Sequence, residues 1–378
     1  MDELWSGVTV TGAPAVEREL GLSHAGYVVF VFVGPLLLAA LLEGGLALLS
    51  DRVDRRRLLL GGQAALASAL AFVAWAPSAW GLSAGLAVAG AASGVACGAA
   101  QAVLVAGDPQ AVDRAMVRWT LFASIGDVLT PLLTAASLAL GCSYRAALLA
   151  IALLVLLQLL ASIRARASGL AGGSARDDGD PPPEPLVAAV ARAARLPRLW
   201  TWLFAAASCT LLDELVIALA ALHLRREQGW PESLAAAAAI AFATGSVAGA
   251  SFADRAVARF GRRRVLFASA AGCTLALFAL LLPLSPLAAC GALFLLGCAA
   301  APHHPLALAQ AYEELPRNPG TVQAFGQVFV GLEVLAPLVV GEVADHFGLR
   351  AAVGCLLAQP LLIAAASFFA RERPDVVN

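Results

Sequence analysis

The sequence predicts an all-α polytopic membrane protein built as two six-helix bundles. Three observations carry that prediction. Apolar residues make up 60% of the 378 and charged residues only 13%, with a mean hydropathy of +0.81, against roughly 25% charged in soluble domains. Eleven apolar runs are each long enough to cross a bilayer core about 30 Å thick, which takes roughly 20 helical residues. The second half of the chain also repeats short patterns of the first half in the same order.

The complete runs lie at 27–49, 58–76, 80–106, 119–140, 144–163, 199–222, 234–253, 265–284, 286–310, 321–344 and 351–370. Ahead of them, Leu4 to Val16 is apolar but spans only about 20 Å as a helix, and Pro14 limits its outer end. It reads as the outer part of a truncated first helix, which gives twelve spans in the intact protein; a short interfacial helix is the alternative. Asp2 and Glu3 stand where a cleaved signal would carry its basic residues.

Between the fifth and sixth complete runs lies the one long polar segment, 164–198. Its first part, Ser168 to Pro185, is rich in Gly, Asp and Pro and reads as disordered. Its second part, Leu186 to Leu196, sets Arg192 and Arg195 one helical turn apart and reads as an amphipathic helix on the membrane face. This linker divides a bundle at 1–163 from one at 199–378.

Arginine placement sets the orientation. All 25 basic residues are Arg, and placing the 51–57 turn in the cytoplasm puts 20 of them inside and 5 outside. That bias puts both termini in the cytoplasm, and the all-Arg usage with no targeting signal points to a cell membrane of bacterial type. A net charge of −1 gives no reason to expect a nucleic-acid partner. The seven cysteines form no CxxC pair and mostly sit in apolar runs, so they read as small packing residues.

The internal repeat has four landmarks. Asp2-Glu3-Leu4 returns as Asp213-Glu214-Leu215, and Ser50-Asp51-Arg52 as Ala253-Asp254-Arg255. Asp127-Val-Leu-Thr-Pro131-Leu returns as Glu333-Val-Leu-Ala-Pro337-Leu, 206 residues later, and Arg145-Ala-Ala as Arg350-Ala-Ala, 205 later. Such a repeat implies two bundles related by an axis along the membrane normal, with a cavity between them.

These residues carry a resemblance to the major facilitator superfamily of transporters. That family's signature between its second and third helices is G-x-x-x-D-R-x-G-R-R. Here Asp51, Arg52, Arg55 and Arg56 match it, while Ala47 and Asp54 replace its glycines. The second copy offers Gly249, Asp254, Arg255, Gly261, Arg262 and Arg263. The resemblance implies that both turns are conformational latches on the cytoplasmic side, each with two arrangements a few kcal/mol apart. The plainer reading is that these arginines only anchor the topology.

Ionisable residues inside the spans are the other candidates. Glu43, Asp127, Asp213, Glu214 and Glu333 lie within apolar runs, and Asp2 and Glu3 join them through the repeat. A carboxylate at the bilayer centre costs about 2.5–3.5 kcal/mol on insertion scales, so such groups face a cavity or a partner. No Arg lies deep in a span, which favours proton carriage or contact with a cationic or hydroxyl-rich solute over static ion pairs. His303 and His304 sit between Pro302 and Pro305, where the helical ladder breaks. They read as a cavity contact, with packed histidines or a metal ligand as alternatives; Gln101, at the repeat-equivalent place, supports the cavity. Gly90-xxx-Gly94-xxx-Gly98 and Gly245-xxx-Gly249 read as close helix packing.

The function that follows is secondary active transport of a small organic solute by alternating access, driven by protons and without a cofactor, in a monomer embedded in the lipid bilayer. Gly126-Asp127-xxx-Pro131 resembles an antiporter pattern of the superfamily and points to efflux. A lipid flippase or scramblase on the same fold is the alternative. The chain carries no His-Glu-x-x-His and no P-loop, which argues against a membrane enzyme and against direct use of ATP.

Overall fold

The computed structural model describes residues 2–107, 112–165, 185–213, 215–226, 229–230 and 232–370. Among them all regular structure is helical. The short first run forms α1 (Asp2–Thr11) and α2 (Ala13–Leu20), with Pro14 in the first turn of α2, where its missing N–H costs nothing. The second run is α3 (His24–Tyr27), a π-helical stretch over Val28–Val33, and α4 (Gly34–Ser50). Pro35 explains the π register. It has no N–H to donate, and the Gly34 N–H reaches back five residues to the Val29 carbonyl.

The next elements follow the apolar runs closely: α5 (Arg55–Trp75), α6 (Ala79–Gly107), α7 (Val112–Ala139) and α8 (Tyr144–Ala165). α7 begins seven residues before the apolar run does, so Asp113, Arg114 and Arg118 stand on a helix and not in a loop. The linker holds α9 (Leu186–Ala194), which carries Arg192 in its last turn and ends before Arg195. The segment read as disordered falls mostly outside the described residues.

The seventh span is interrupted at Cys209, between α10 (Pro197–Ser208) and α11 (Thr210–Asp213), and continues as α12 (Leu215–Arg226) past Glu214, which lies outside the described residues. Then come α13 (Glu232–Phe260) and α14 (Arg262–Leu280). The tenth span breaks into α15 (Pro286–Ala300) and α16 (His303–Glu314) at Pro302. The eleventh is α17 (Pro319–Gly326), a 3-10 turn over Gln327–Phe329, and α18 (Val330–Phe347). The last is α19 (Leu349–Cys355) and α20 (Ala358–Ser367). Nine helices among the described residues are long and apolar enough to cross a membrane.

The chain gathers into two compact units. The first holds 1–110, 125–195 and 315–330, and the second holds 111–124, 196–314 and 331–378. Each unit thus keeps most of one sequence half; the second takes the start of α7 and the first the whole of α17 from the other. The first unit's core joins α1, α2, α5, α6 and α8 around Leu70, Leu82, Tyr144 and Ile151, none of them exposed. The second unit's core joins α11, α12, α14, α15 and α19 around Leu212, Leu277, Leu296 and Leu356.

The close crossing of α13 and α15 needs glycine. A Cβ on Gly245 or Gly249 of α13 would collide with the carbonyl oxygens of Phe294 and Cys298 of α15, and one on Gly297 with the Phe242 carbonyl. The glycines of α6 serve another purpose. Gly90 faces the Ala39 methyl, but Gly94 and Gly98 make room for the side chains of Glu43 and Gln323.

Candidate functional site

The two charged turns are built by different chemistry. In the first, Asp54 caps α5, its carboxylate accepting from the Arg56 and Arg57 N–H groups at 2.8 and 3.4 Å. Its φ of −54° needs no glycine, which accounts for the departure from the signature. In the second, Gly261 holds φ 81°, a left-handed conformation that a Cβ disfavours.

Asp51 does not rest on arginine alone. Its carboxylate accepts from the Gly320 N–H at 2.8 Å, the Thr321 N–H at 2.9 Å and the Thr321 hydroxyl at 2.7 Å. These N–H groups open α17, where the helix end is partly positive. Gly320 is obligatory here, because a Cβ would strike the Ala47 carbonyl and the Ser50 hydroxyl. The small residue that the signature places at Ala47 has its counterpart across the contact. Burial raises the Asp51 carboxyl above the ordinary range, against the lowering pull of those hydrogen bonds and of Arg55. Arg55 donates to the Ala102 carbonyl at 3.3 Å.

Two further contacts hold the start of α17. Gln323 Nε2 donates to the Gly94 carbonyl at 3.3 Å and stands 3.5 Å from Glu43 Oε1. Arg192 of α9 donates to Asn318 Oδ1 at 2.9 Å. The linker helix is therefore docked on this unit, with Ala189 and Ala193 buried.

The second turn grips the start of α7. Asp254 accepts from Arg114 at 3.2 Å, with Arg118 at 4.0 Å. Arg114 stands 206 residues before Gly320, so the repeat reproduces the contact with an arginine side chain as donor in place of backbone N–H groups. Beside it, Arg262 is 2% exposed. It donates to Asp113 at 2.7 and 3.0 Å and forks onto both oxygens of Glu313 at 2.7 and 2.8 Å. Arg263 stacks over the Phe368 ring at 5.3 Å. Arg52 and Arg255 are exposed, and Arg56 is half-buried.

Of the carboxylates in spans, Asp213 is exposed, four residues past the interruption of the seventh span at Cys209. The buried thiols of Cys209 and Cys273 lie within its electrostatic reach. Glu333 is half-buried, four residues past the 3-10 turn of the eleventh span. Glu214 lies outside the described residues, as do the side chains of Asp2, Glu3 and Asp127. Gln101 is 9% exposed on α6.

The histidine pair divides. His304 is exposed, while His303 is fully buried and held on both ring nitrogens. Nε2 lies 3.0 Å from the Ser269 hydroxyl and Nδ1 3.2 Å from Gln359 Nε2. Gln359 Oε1 in turn accepts the Leu212 N–H at 3.0 Å. One buried chain of hydrogen bonds thus ties α14, α16, α20 and α11, ending one residue from Asp213. Sequence reasoning missed Gln359 and Ser269, although a glutamine in an apolar run is itself a signal. It also missed Asp113 and Glu313, which look like ordinary loop charges, and Thr321, whose role depends on a helix end. Gly81-Leu-Ser83-Ala-Gly85 spells the Gly-x-Ser-x-Gly pattern of hydrolases, but it lies within the unbroken α6 and forms no nucleophile elbow.

A chain helical throughout its described regular structure, with repeated charged turns gripping helix starts and carboxylates about one turn past helix interruptions, has the form of a secondary transporter. The chain belongs to the Major Facilitator Superfamily, whose family model matches residues 4–213 and 203–378. It is a multi-pass membrane transporter and not an enzyme. The fucose:proton symporter of E. coli superposes with a TM-score of 0.74 at 14% identity, covering 97% of this chain and 96% of that one. A proton:xylose symporter bound to 6-bromo-6-deoxy-D-glucose gives 0.73 at 12%, covering 98% and 93%. The human organic anion transporter MFSD10 gives 0.63 at 17%, covering 97% and 93%. At these identities the likeness shows the fold alone. No curated protein matches the chain in sequence.

Proposed function

We propose that the protein moves a small organic solute by alternating access, coupled to protons that bind Asp213. The observation that carries this reading is an exposed carboxylate, Asp213, one helical turn past the interruption of a spanning helix at Cys209. Broken helices at membrane depth line cavities, and a carboxylate beside such a break is placed to bind and release protons. Glu333, just past the 3-10 turn of its own span, is the second candidate carrier, with Asp127 and Glu214 added from the sequence. That two of the solved structures are proton symporters for sugars, and the third an organic anion transporter, supports proton coupling and a small organic cargo. The charged turns act as latches at the starts of α7 and α17. Export is the direction we propose, on the helix-five pattern alone, and the protein acts as a monomer in a cell membrane.

The test is proton flux in vesicles holding the purified protein, under an imposed pH gradient, against a panel of sugars, organic cations and organic anions. The expected result is flux evoked by one class and lost in Asp213→Asn. The sign of the flux gives the direction. Solute movement indifferent to the gradient would overturn proton coupling, and lipid movement without any solute response would move the protein to the flippase reading.

A further inference from the structure

α13, α14 and α15 enclose between them a groove of about 660 Å³, within the usual range of small-molecule sites, about 300–1,000 Å³. Its floor is cut by small residues of α13: Ala248, Gly249, Ala253 and Ala256. The same backbone crossing that forbids a side chain at Gly249 gives the floor its depth. Its walls are aromatic, and Phe252 and Phe260 remain 65% and 51% exposed. Ala248, Phe252, Ala256 and Phe260 lie on the side of α13 opposite Asp254, the residue that meets Arg114. The groove therefore opens away from the gripped start of α7, on a surface that a membrane helix presents to lipid.

Its polar content is confined to one end. The Ser269 hydroxyl borders the groove but is already engaged by the Leu266 carbonyl at 3.0 Å and His303 at 3.0 Å. Arg264, exposed on the first turn of α14, closes the arginine-rich end. From Ala248 to Phe260 the floor runs about 18 Å along the helix, close to the depth of one leaflet, about 15 Å. An apolar trough of leaflet length with Arg264 lining its membrane-surface end, and Arg259 stacked at 5.3 Å over the Phe260 ring there, matches an amphiphile with an acyl tail and an anionic head. A polar solute would find nothing to bond along its length.

We propose that this groove holds one phospholipid with an anionic headgroup, its phosphate against Arg264 and one acyl chain along the small-residue floor of α13. The lipid is a resident ligand, separate from the carboxylates that serve the cargo.

The test uses the purified full-length chain, stripped of lipid in detergent and offered equal amounts of phosphatidylglycerol and phosphatidylcholine with identical acyl chains. Retained lipid is counted by native mass spectrometry. The expected result is one lipid per chain with about fivefold preference for phosphatidylglycerol, the ratio given by about 1 kcal/mol for one arginine near the membrane surface. Arg264→Gln should bring the preference to about one, and Ala256→Trp, which fills the trough, should lower retention of both lipids. Arg198→Gln, an exposed arginine of α10, should change neither. Equal retention by the wild type, or an equal loss of preference in Arg198→Gln, would overturn the proposal. So would full retention in Ala256→Trp, or displacement by soluble glycerol phosphate, which would mark a headgroup-only anion site. If Ala256→Trp does not fold, the exposed Arg264→Gln still decides the matter.

Discussion

Asp51 gathers three hydrogen bonds from the first turn of α17, two of them from backbone N–H groups that a helix start otherwise leaves without partners. Asp51→Ala strands both. We expect a loss of about 1–3 kcal/mol in the hold on that turn, seen as roughly 5- to 150-fold faster amide exchange at Gly320 and Thr321 with little change in α8. The carboxyl also makes the hold pH-sensitive. Its value is raised in the gripped arrangement and ordinary when the turn releases and water reaches it. The gripped arrangement therefore binds a proton more tightly. Acidification through the interval above the ordinary carboxylate value favours gripping, and rising pH through the raised value removes that gain. Asp51→Asn should flatten this dependence, and an unchanged pH profile would remove Asp51 as its source. The aspartate itself was legible from its signature. Its partners were not, because a backbone N–H carries no letter in a sequence.

Helices show a similar division between what residue types reveal and what contacts decide. The break at Pro302 could be read directly, since proline withholds the N–H that the ladder needs. The break after Ser208 has neither proline nor glycine beside it. There the Leu212 N–H lies 3.1 Å from the Cys209 carbonyl and also serves Gln359, 147 residues away. Gln359→Leu keeps the volume and removes the acceptor. We expect faster exchange at Leu212 and Asp213 and an unaltered first turn of α10. Unchanged exchange would mean that the Cys209 carbonyl alone sets the break. The π-helical stretch in the second span escaped the sequence reading for a related reason. Hydropathy reports which residues are apolar and not which carbonyl each N–H reaches.

For the molecule as a whole, the repeat was the most informative feature of the sequence. Yet it gave no sign that the start of α7 and the whole of α17 cluster with the helices of the other sequence half. Apolar periodicity describes the middle of a span, whereas the starts of α7 and α17 are placed by charge. The buried Arg262, forked onto Glu313 and bonded to Asp113, is the clearest case. Arg262→Gln leaves two carboxylates without their counter-charge, and removing one partner of a buried ion pair costs about 3–5 kcal/mol. The thermal midpoint in detergent should fall accordingly. Neutralising all three residues together should recover most of the loss, since desolvation offsets much of what such a cluster contributes. If the triple variant is no better than the single, the cluster stabilises by more than mutual neutralisation.

The crossing of α13 and α15, glycine against carbonyl, has a mechanical meaning. Two helices separated by side chains can shear by letting rotamers hop, as a bearing runs on its balls. At Gly245, Gly249 and Gly297 there are no balls. Sliding by even part of a residue would force main chain into main chain, so this pair bends and tilts as a single stiff beam, and any compliance in its unit resides in the helices around it.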